Sequence, residues 1–472
     1  MVYYCDKYFY QGKQQMGRFF RHPLRRDIIL WGLLVIYLAM LSLLGCREPE
    51  LLVFYRNSLH PEFTSPAIIV IGITYIYLIA TGVLCCFYRP IPTVTDDQQL
   101  PSCTVIVPAY NEGAYVERTI KSLLTSNYPV EKLEIIAVND GSQDDTWNYI
   151  CRGAKLAPHQ VTTINLPENK GKKHAIYVAT QAARGDIIVT VDSDSSVKSN
   201  TLRELVSPML DPTIGAVAGA IRVKTPEQSF ISSLLDVLLV FGCEFLRAAQ
   251  SVTSLVLCTP GALSAYRKSA LLPVLDEWLN QMFMGRPARI GEDRALATLI
   301  LRSNYRIVHQ STAQATTCVP RTLTGACKML LRWTRGDIRE NLLMSKFAFK
   351  NFPPRNVRGW VIIAYWVALT QNLLLPFFFV PAFFYMLFYG ARDPIIFLAA
   401  NALFSLTWAS IPAIIYSKHT NIRKAVWALI YGAFCPLLLA ILYIYSFLTL
   451  SDSRWLTREL KNKPIASGET VQ

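Results

Sequence analysis

The stretch Arg184–Asn200, RGDIIVTVDSDSSVKSN, carries five consecutive β-branched residues, Ile187 to Val191, and then stops at two carboxylates, Asp192 and Asp194. β-Branched runs bounded by Gly, Ser and Asp read as strands. This one is apolar on both faces, as a strand covered from both sides would be. Its end in paired acids is unusual for a chain with 47 basic and 33 acidic residues and a net charge of +14.

Working outward, the same pattern repeats upstream. Cys103–Tyr110 (CTVIVPAY), Leu133–Asp140 (LEIIAVND) and Val161–Pro167 (VTTINLP) read as strands, followed by Asp186–Asp192. Between them, Ala114–Ser126, Gln143–Leu156 and Lys172–Arg184 carry helical periodicity. Strands alternating with helices imply βαβ units and a mostly parallel sheet. Ligands of such sheets bind beyond the carboxyl ends of the strands. Four polar clusters fall at that edge: Pro108–Glu112, Asn139–Ser142, Glu168–His174 and Asp192–Ser195. Any one of them is explained by the preference of Asp, Asn and Ser for turns and helix caps. Four at successive strand ends point to a site.

Two aspartates one residue apart suit a hard divalent cation, Mg²⁺ or Mn²⁺, completed by phosphate oxygens of a substrate. Gly171-Lys172-Lys173 opens a helix, so its lysines and the helix N-terminus are expected to face the same phosphates. The implied guest is a nucleoside diphosphate. Neither GxxxxGK[ST] nor GxGxxG occurs, which argues against a P-loop ATPase and a dinucleotide enzyme. Further along, Glu292 and Asp293 open an apolar helix at the end that favours negative charge. If Cys327–Asn341 is helical, Lys328, Arg332, Arg335 and Arg339 form one basic stripe at spacings of 4, 3 and 4. Such a stripe is either a membrane-flanking face or part of the site, and Trp333 beside Arg332 favours the site.

The hydrophobic fraction is 52% and the mean hydropathy +0.28, and the excess sits at the two ends. Ile28–Gly45 and Ala67–Tyr88 contain no charged residue, and each approaches the ~20 residues that cross a bilayer core. Gly359–Gly390, Pro394–Tyr416 and Ala425–Leu450 follow. The 27 residues before the first stretch are too many and too charged for a usual signal peptide, so an uncleaved anchor is expected. Lys7, Lys13, Arg18, Arg21, Arg25 and Arg26 place the N-terminus inside, and the long middle region is therefore expected in the cytoplasm. The expected organisation is 1–90 for an N-terminal segment with two membrane helices, 91–345 for a cytoplasmic catalytic domain with interface helices, and 346–472 for C-terminal membrane helices and tail. An odd number of crossings would put the basic tail Trp455–Lys463 outside. Pro436 interrupts the last apolar stretch, so that stretch is expected to bend or re-enter and return the tail to the cytoplasm. No nucleic-acid-binding module is present. The 11 cysteines show no zinc spacing and, in a cytoplasmic domain, no disulfide framework is expected. RGD at Arg184–Asp186 and Arg335–Asp337 is not read as an adhesion motif.

VPAYNE, VNDGS, VDSDS, GALSAYR, GEDR and RWTRGD occur in the order found in glycosyltransferase family 2, which this chain resembles over nearly its whole length. The likeness is greatest to the processive membrane members, the hyaluronan, chitin and cellulose synthases. Arg247–Val252, Cys258–Arg267, His309–Pro320 and Trp455–Arg458 look most like hyaluronan synthases. The resemblance implies an α/β GT-A (Rossmann-like) cytoplasmic catalytic domain joined to an α-helical transmembrane bundle. It implies that Tyr110, Glu112 and Asp140 hold the uridine end of a UDP-sugar, and that Lys172 contacts the diphosphate. Asp192 and Asp194 match the DxD, with Asp194 the metal ligand for Mg²⁺ or Mn²⁺. Asp293 matches the catalytic base, with Glu292 beside it. Arg332 and Trp333 match the RW of QxxRW, near the diphosphate and acceptor.

The chemistry of the residues agrees. A glycosidase needs a second carboxyl group to protonate its leaving group; here metal and lysine can stabilise a departing diphosphate, so one base suffices. Direct displacement would invert an α-linked donor to a β-linked product. The implied activity is processive polymerisation from UDP-GlcNAc and UDP-GlcA, with the polysaccharide passed through the plasma membrane. A chitin- or cellulose-like homopolymer synthase or another family 2 membrane transferase is the alternative within enzymes. A transporter with a nucleotide-regulated domain is the alternative outside them, weakened by apolar stretches nearly free of charge. Implied partners are the donors, the growing polysaccharide and membrane lipids. One departure stands out: Met329 occupies the position of the motif Gln, and a thioether cannot replace the amide's hydrogen bonds. The choice of sugar is left open by it.

Overall fold

A computed structural model of the protein describes residues 76–348, 369, 376–377, 380, 409–420 and 424–452. The apolar stretch Ile28–Gly45, the first part of Ala67–Tyr88, nearly all of Gly359–Gly390 and the tail Trp455–Lys463 lie outside the described residues.

A short apolar helix, α1 (Ile76–Phe87), leads into the first βαβ units. These are β1 (Cys103–Ala109), α2 (Tyr115–Leu124), β2 (Leu133–Asp140), α3 (Thr146–Ala154), β3 (Val161–Leu166), α4 (Lys172–Ala182) and β4 (Ile187–Thr190). Then come β5 (Ser196–Val197), α5 (Thr201–Val206), β6 (Ile214–Val223) and α6 (Phe230–Phe241). A π-helical turn, Gly242–Arg247, joins α6 to α7 (Ala248–Val252), which precedes β7 (Ser264–Arg267) and α8 (Lys268–Leu279). The hairpin β8 (Met282–Phe283) and β9 (Arg286–Pro287) precedes α9 (Glu292–Arg302), β10 (Arg306–Thr317) and α10 (Leu323–Ala348). The last described helix is α11 (Ala425–Leu448).

The main sheet has the order β3-β2-β1-β4-β7-β6-β10-β5. The four strands expected from sequence are parallel neighbours, with Cys103 opposite Leu133 on one side and Ile187 on the other. At β4 the order turns: its other neighbour, β7, is antiparallel. Asp192 and Asp194 therefore leave the middle of the sheet at the point where ligands of open α/β sheets bind.

Alternation along each strand divides the core. Val105 and Val107 face a layer built by α2, α3 and α5, whereas Ile106 faces a layer built by α4, α8 and α9. A third apolar cluster joins Leu78 of α1, Val237 and Val240 of α6, Ile411, Ile415 and Tyr416 of the helical stretch 409–419, and Ala428 and Tyr431 of α11. Asp236 ties this cluster to the sheet, accepting from Tyr416 Oη at 2.7 Å, from Arg222 Nη2 at 3.0 Å and from Val223 N at 3.0 Å.

The expected transmembrane bundle is not reproduced among the described residues. No single described helix is long and apolar enough to cross a membrane. The one candidate is the pair Ala425–Gly432 and Cys435–Leu448, bent by 49°. Pro436 removes a backbone donor and crowds the preceding turn, which accounts for the bend expected there. Ion pairs at both ends of α11 tie it back to the rest of the described structure: Lys424 Nζ pairs with Glu227, before α6, and Asp452 Oδ2 lies 3.3 Å from Arg335 Nη1 of α10.

Candidate active site

The loops at the carboxyl edge lock onto one another through groups the strands leave behind. Asn111, at φ 52°, donates its N–H to Ser142 Oγ at 3.0 Å, and its Oδ1 accepts from Gln143 N at 2.9 Å. Thr146 Oγ1 accepts from the N–H groups of Glu112 and Gly113, both at 2.8 Å. Gly141, at φ +66°, comes so close to the next loop that a Cβ there would lie 2.4 Å from the Glu168 carbonyl carbon. This contact lets the buried Asp140 carboxylate accept from Lys170 N and Gly171 N at 3.0 Å each. Asp140 thus fixes the turn from which Lys172 starts α4.

Lys172 is the electrostatic centre of the site. Its Nζ lies 2.6 Å from Asp192 Oδ1 and 3.0 Å from Glu292 Oε1, with lysine and glutamate both buried. Gly261 makes room for it, since a Cβ at Gly261 would stand 2.5 Å from that Nζ. Burial opposes the charge of Lys172, but Asp192 and Glu292 outweigh it and hold the ammonium above the usual lysine range. Burial likewise opposes ionisation of Glu292, yet Lys172 and Arg332 hold it well below the usual carboxylate range. Its neighbour goes the other way: burial, then the charge of Glu292, push Asp293 up. Adjacent carboxyls whose environments drive them apart are a signature of acid–base sites.

Both carboxyls are fixed by the start of α9. Trp278 Nε1 donates to Glu292 O at 2.9 Å, and Thr259 Oγ1 donates to Asp293 O at 3.1 Å. Asp293 Oδ1 accepts from Arg294 N at 2.8 Å, and Cys258 Sγ lies 3.7 Å from Oδ2. Gly291, at φ +66°, packs against Gly336 of α10, where an added Cβ would be 2.9 Å from Gly336 Cα. Gly291→Ala combines a left-handed backbone with a backbone clash. It is expected to cost about 1–3 kcal/mol and to displace Asp293, checked by chemical denaturation.

Lys172, Asp192, Asp194, Glu292, Asp293, Arg332 and Trp333 all line one cavity of about 330 Å³. Tyr110, Glu112 and Asp140 stand outside its lining, at the ends of β1 and β2. Met329, which sequence reading left open, lines the cavity as an apolar group packed with Leu235 and Ala326. Arg247, Cys258, Gly261, Thr317 and Asp337 also line it. They lie within recognised motifs or beside them, but spacing alone gave them no role.

Two expectations are corrected. Lys173 does not share the phosphate face: its Nζ donates to Trp278 O at 3.0 Å and to Gln281 Oε1 at 3.2 Å, and burial pushes it down to about 8. The basic stripe of α10 also divides. Arg332 enters the cavity, whereas Arg335 turns to Thr449 and buried Arg339 bonds Ile290 O and Glu340. Helical spacing places side chains on one face but does not say what packs there.

The donors suit a divalent cation that shares its coordination with a substrate. Among the described residues no group of three His, Cys, Asp or Glu side chains is arranged to hold a metal ion by itself. Asp192 and Asp194 instead present two carboxylates to the cavity, and Asp194 Oδ1 is oriented by Thr317 Oγ1 at 3.2 Å. Hard oxygen ligands with positions left for phosphate and water fit Mg²⁺ or Mn²⁺.

Residues 104–274 match the model of glycosyl transferase family 2. An N-acetylglucosaminyltransferase of Azorhizobium caulinodans is 30% identical over 367 residues, covering 76% of this chain and 88% of that protein. A hyaluronan synthase of Streptococcus pyogenes is 31% identical over 402 residues, covering 83% and 90%. Among solved structures, the mannosyltransferase PcManGT of Pyrobaculum calidifontis, in complex with GDP-Man and Mn²⁺, superposes with a TM-score of 0.55 at 23% identity. It covers 79% of this chain and 98% of that one, a likeness of fold that supports GT-A for the sheet and its helices.

Proposed function

The chain belongs to glycosyltransferase family 2, and from that premise we propose that it is a processive, inverting β-glycosyltransferase that extends a polysaccharide from UDP-sugars. The observation that carries this reading is the pairing, in one cavity, of a buried Lys172–Asp192–Glu292 cluster with Asp293, Arg332 and Trp333.

In this reading Lys172 and Arg332 bind the donor diphosphate, and Asp192 and Asp194 face it. A divalent cation held by Asp194, with Asp192 beside it, would neutralise charge on the leaving diphosphate. Asp293 accepts the proton of the acceptor hydroxyl as that oxygen bonds to the anomeric carbon and the carbon–phosphate oxygen bond breaks. Its raised pKa makes it a stronger base once ionised, while Glu292 stays charged to hold Lys172. Trp333, 36% exposed, offers an aromatic face to the acceptor sugar. Tyr110, Glu112 and Asp140 hold the nucleoside end, Asp140 through the loop it orders.

The likeness to a hyaluronan synthase over 90% of its length supports UDP-GlcNAc and UDP-GlcA as donors. The N-acetylglucosaminyltransferase relative supports a second reading, an N-acetylglucosamine homopolymer. The apolar stretches outside the catalytic domain support an integral protein of the plasma membrane. The contacts of both ends of α11 with the catalytic domain support a cytoplasmic tail. Purified protein given each UDP-sugar alone and both together is expected to make a long polymer only with both. Oligomers from UDP-GlcNAc alone would select the homopolymer reading, and a single sugar added to lipid would overturn processivity.

A further inference from the structure

Arg335 stands one helical turn beyond Arg332 on α10 but leaves the cavity. Its side chain, 3% exposed, crosses to the carbonyl end of α11. Nε and Nη2 donate to Thr449 Oγ1 at 3.2 and 2.8 Å, and Nη1 lies 3.3 Å from Asp452 Oδ2. The Thr449 hydroxyl donates to Tyr445 O at 2.6 Å, which leaves its lone pairs for the guanidinium. The preceding residue, Thr334, hydrogen-bonds Ser446 of α11. A buried cation at the carbonyl end of a helix complements the helix dipole as well as the Asp452 charge. The following residue, Gly336, is the one that meets Gly291 at the start of α9.

Five consecutive residues of α10 therefore serve three neighbours. Arg332 and Trp333 reach the cavity, Thr334 and Arg335 grip α11, and Gly336 seats the helix that bears Asp293. α11 is held at its far end by Lys424 and Glu227, bends by 49° between, and turns Val426, Leu429, Ile441, Tyr445 and Leu448 outward. A displacement of that helix would reach Arg332 and Trp333 through one turn of rigid backbone.

We propose that Arg335 and Thr449 form a latch through which the last apolar helix positions Arg332 and Trp333, so that repeated transfer requires α11 to be seated on α10. The proposal rests on the reading of this cavity as the site of chain extension. Arg335 and Thr449 are positioning residues, since neither touches the cavity. A misplacement of about 1 Å at a reacting centre can cost on the order of 100-fold in rate, so partial release of a positioning contact should be readable in turnover.

The test uses the full chain and the nearly isosteric Thr449→Val, which removes the acceptor, beside Thr449→Ser, which keeps it. UDP release, donor KM and product length are measured together with the melting temperature. Thr449→Val is expected to lower kcat about tenfold, in line with such misplacement, to leave donor KM within about twofold, and to shorten the product. Thr449→Ser is expected to restore all three. Wild-type turnover and product length in Thr449→Val would overturn the latch. So would equal losses in both variants that follow the amount of folded protein. Asp452→Asn, which weakens the same grip from a second side, is expected to shift kcat in the same direction, and an unchanged kcat there would also count against the latch. If the wild-type product proves to be a single transferred sugar, processivity fails, but the ratio of UDP release between the Val and Ser variants still reads the latch.

Discussion

Asp293→Asn is expected to abolish polymer formation, to leave UDP binding largely intact, and to raise the melting temperature. The first effect follows from chemistry. A positioned general base contributes about 10²–10⁴-fold, and the amide has no basic oxygen to take the acceptor proton. UDP binding persists because Lys172, Asp192 and Arg332 are untouched, because Thr259 Oγ1 bonds the Asp293 backbone carbonyl, and because an amide oxygen at this position still accepts from Arg294 N. The third effect follows from burial. Asp293 is pushed up by its surroundings and then by the charge of Glu292, so the native state holds its proton more tightly than the unfolded chain does. A carboxyl raised in this way withdraws stability as pH rises from the ordinary aspartate range through its raised value. The neutral amide removes that loss and relieves the repulsion on Glu292. Melting curves between pH 4 and pH 8 should show the variant gaining on the wild type as pH increases. Calorimetry with UDP and a polymer assay complete the measurement. Retained synthesis would remove Asp293 from the mechanism, and a variant less stable at every pH would contradict the electrostatic account.

The parallel half of the sheet was legible because each strand is a short apolar run ending in a polar cluster, and each helix shifts the period from two to about 3.6. The same logic found Lys172, Asp192 and Asp194 together, since the carboxyl edge of adjacent strands is one place. β7 escaped it: SAYR is four residues long, and its pairing with β4 and β6 depends on segments far away in the chain. β10 escaped as well, because between Gln310 and Thr317 its only apolar residues are the alternating Ala313 and Ala315, too small to stand out among Gln, Ser and Thr, and its register with β6 slips there. The glycines show a different limit. Gly261 and Gly291 stand in motifs plain to see, but the reason only glycine serves is a lysine 89 residues upstream of one and a helix 45 residues downstream of the other. Helix α10 shows the same limit for charge. Its arginines share a spacing, yet α11 and α9 press on that helix from different sides and take Arg335 and Arg339 out of the stripe. The membrane segments were argued from composition, and most of those residues lie outside the described ones.

Lys172→Met is expected to be the most destabilising single change in the site. The side chain is 8% exposed and neutralises Glu292, itself 10% exposed, together with the more open Asp192. Removing one partner of a buried ion pair leaves the other charge without compensation, at a cost of about 3–5 kcal/mol. The pH dependence distinguishes this loss from a packing defect. In the wild type Glu292 is held below the usual range, so its contribution is present above the ordinary glutamate value and fades as pH falls through its lowered one. Without Lys172, burial acts on Glu292 against only Arg332 and a backbone hydrogen bond, and the buried carboxylate is expected to cost stability as pH rises. The gap between wild type and variant should therefore widen from pH 4 to pH 7. The double variant Lys172→Met/Glu292→Gln should recover part of the loss, with a coupling on the order of 0.5–3 kcal/mol. Denaturant melts of the four proteins at both pH values measure these quantities. If the gap is flat with pH and the double variant is merely additive, then Arg332 is already sufficient to hold Glu292 charged. Lys172 would then serve Asp192 and the donor alone, and Glu292 would owe its lowered value to Arg332 of α10, while Asp293 stays raised by burial and by the Glu292 charge.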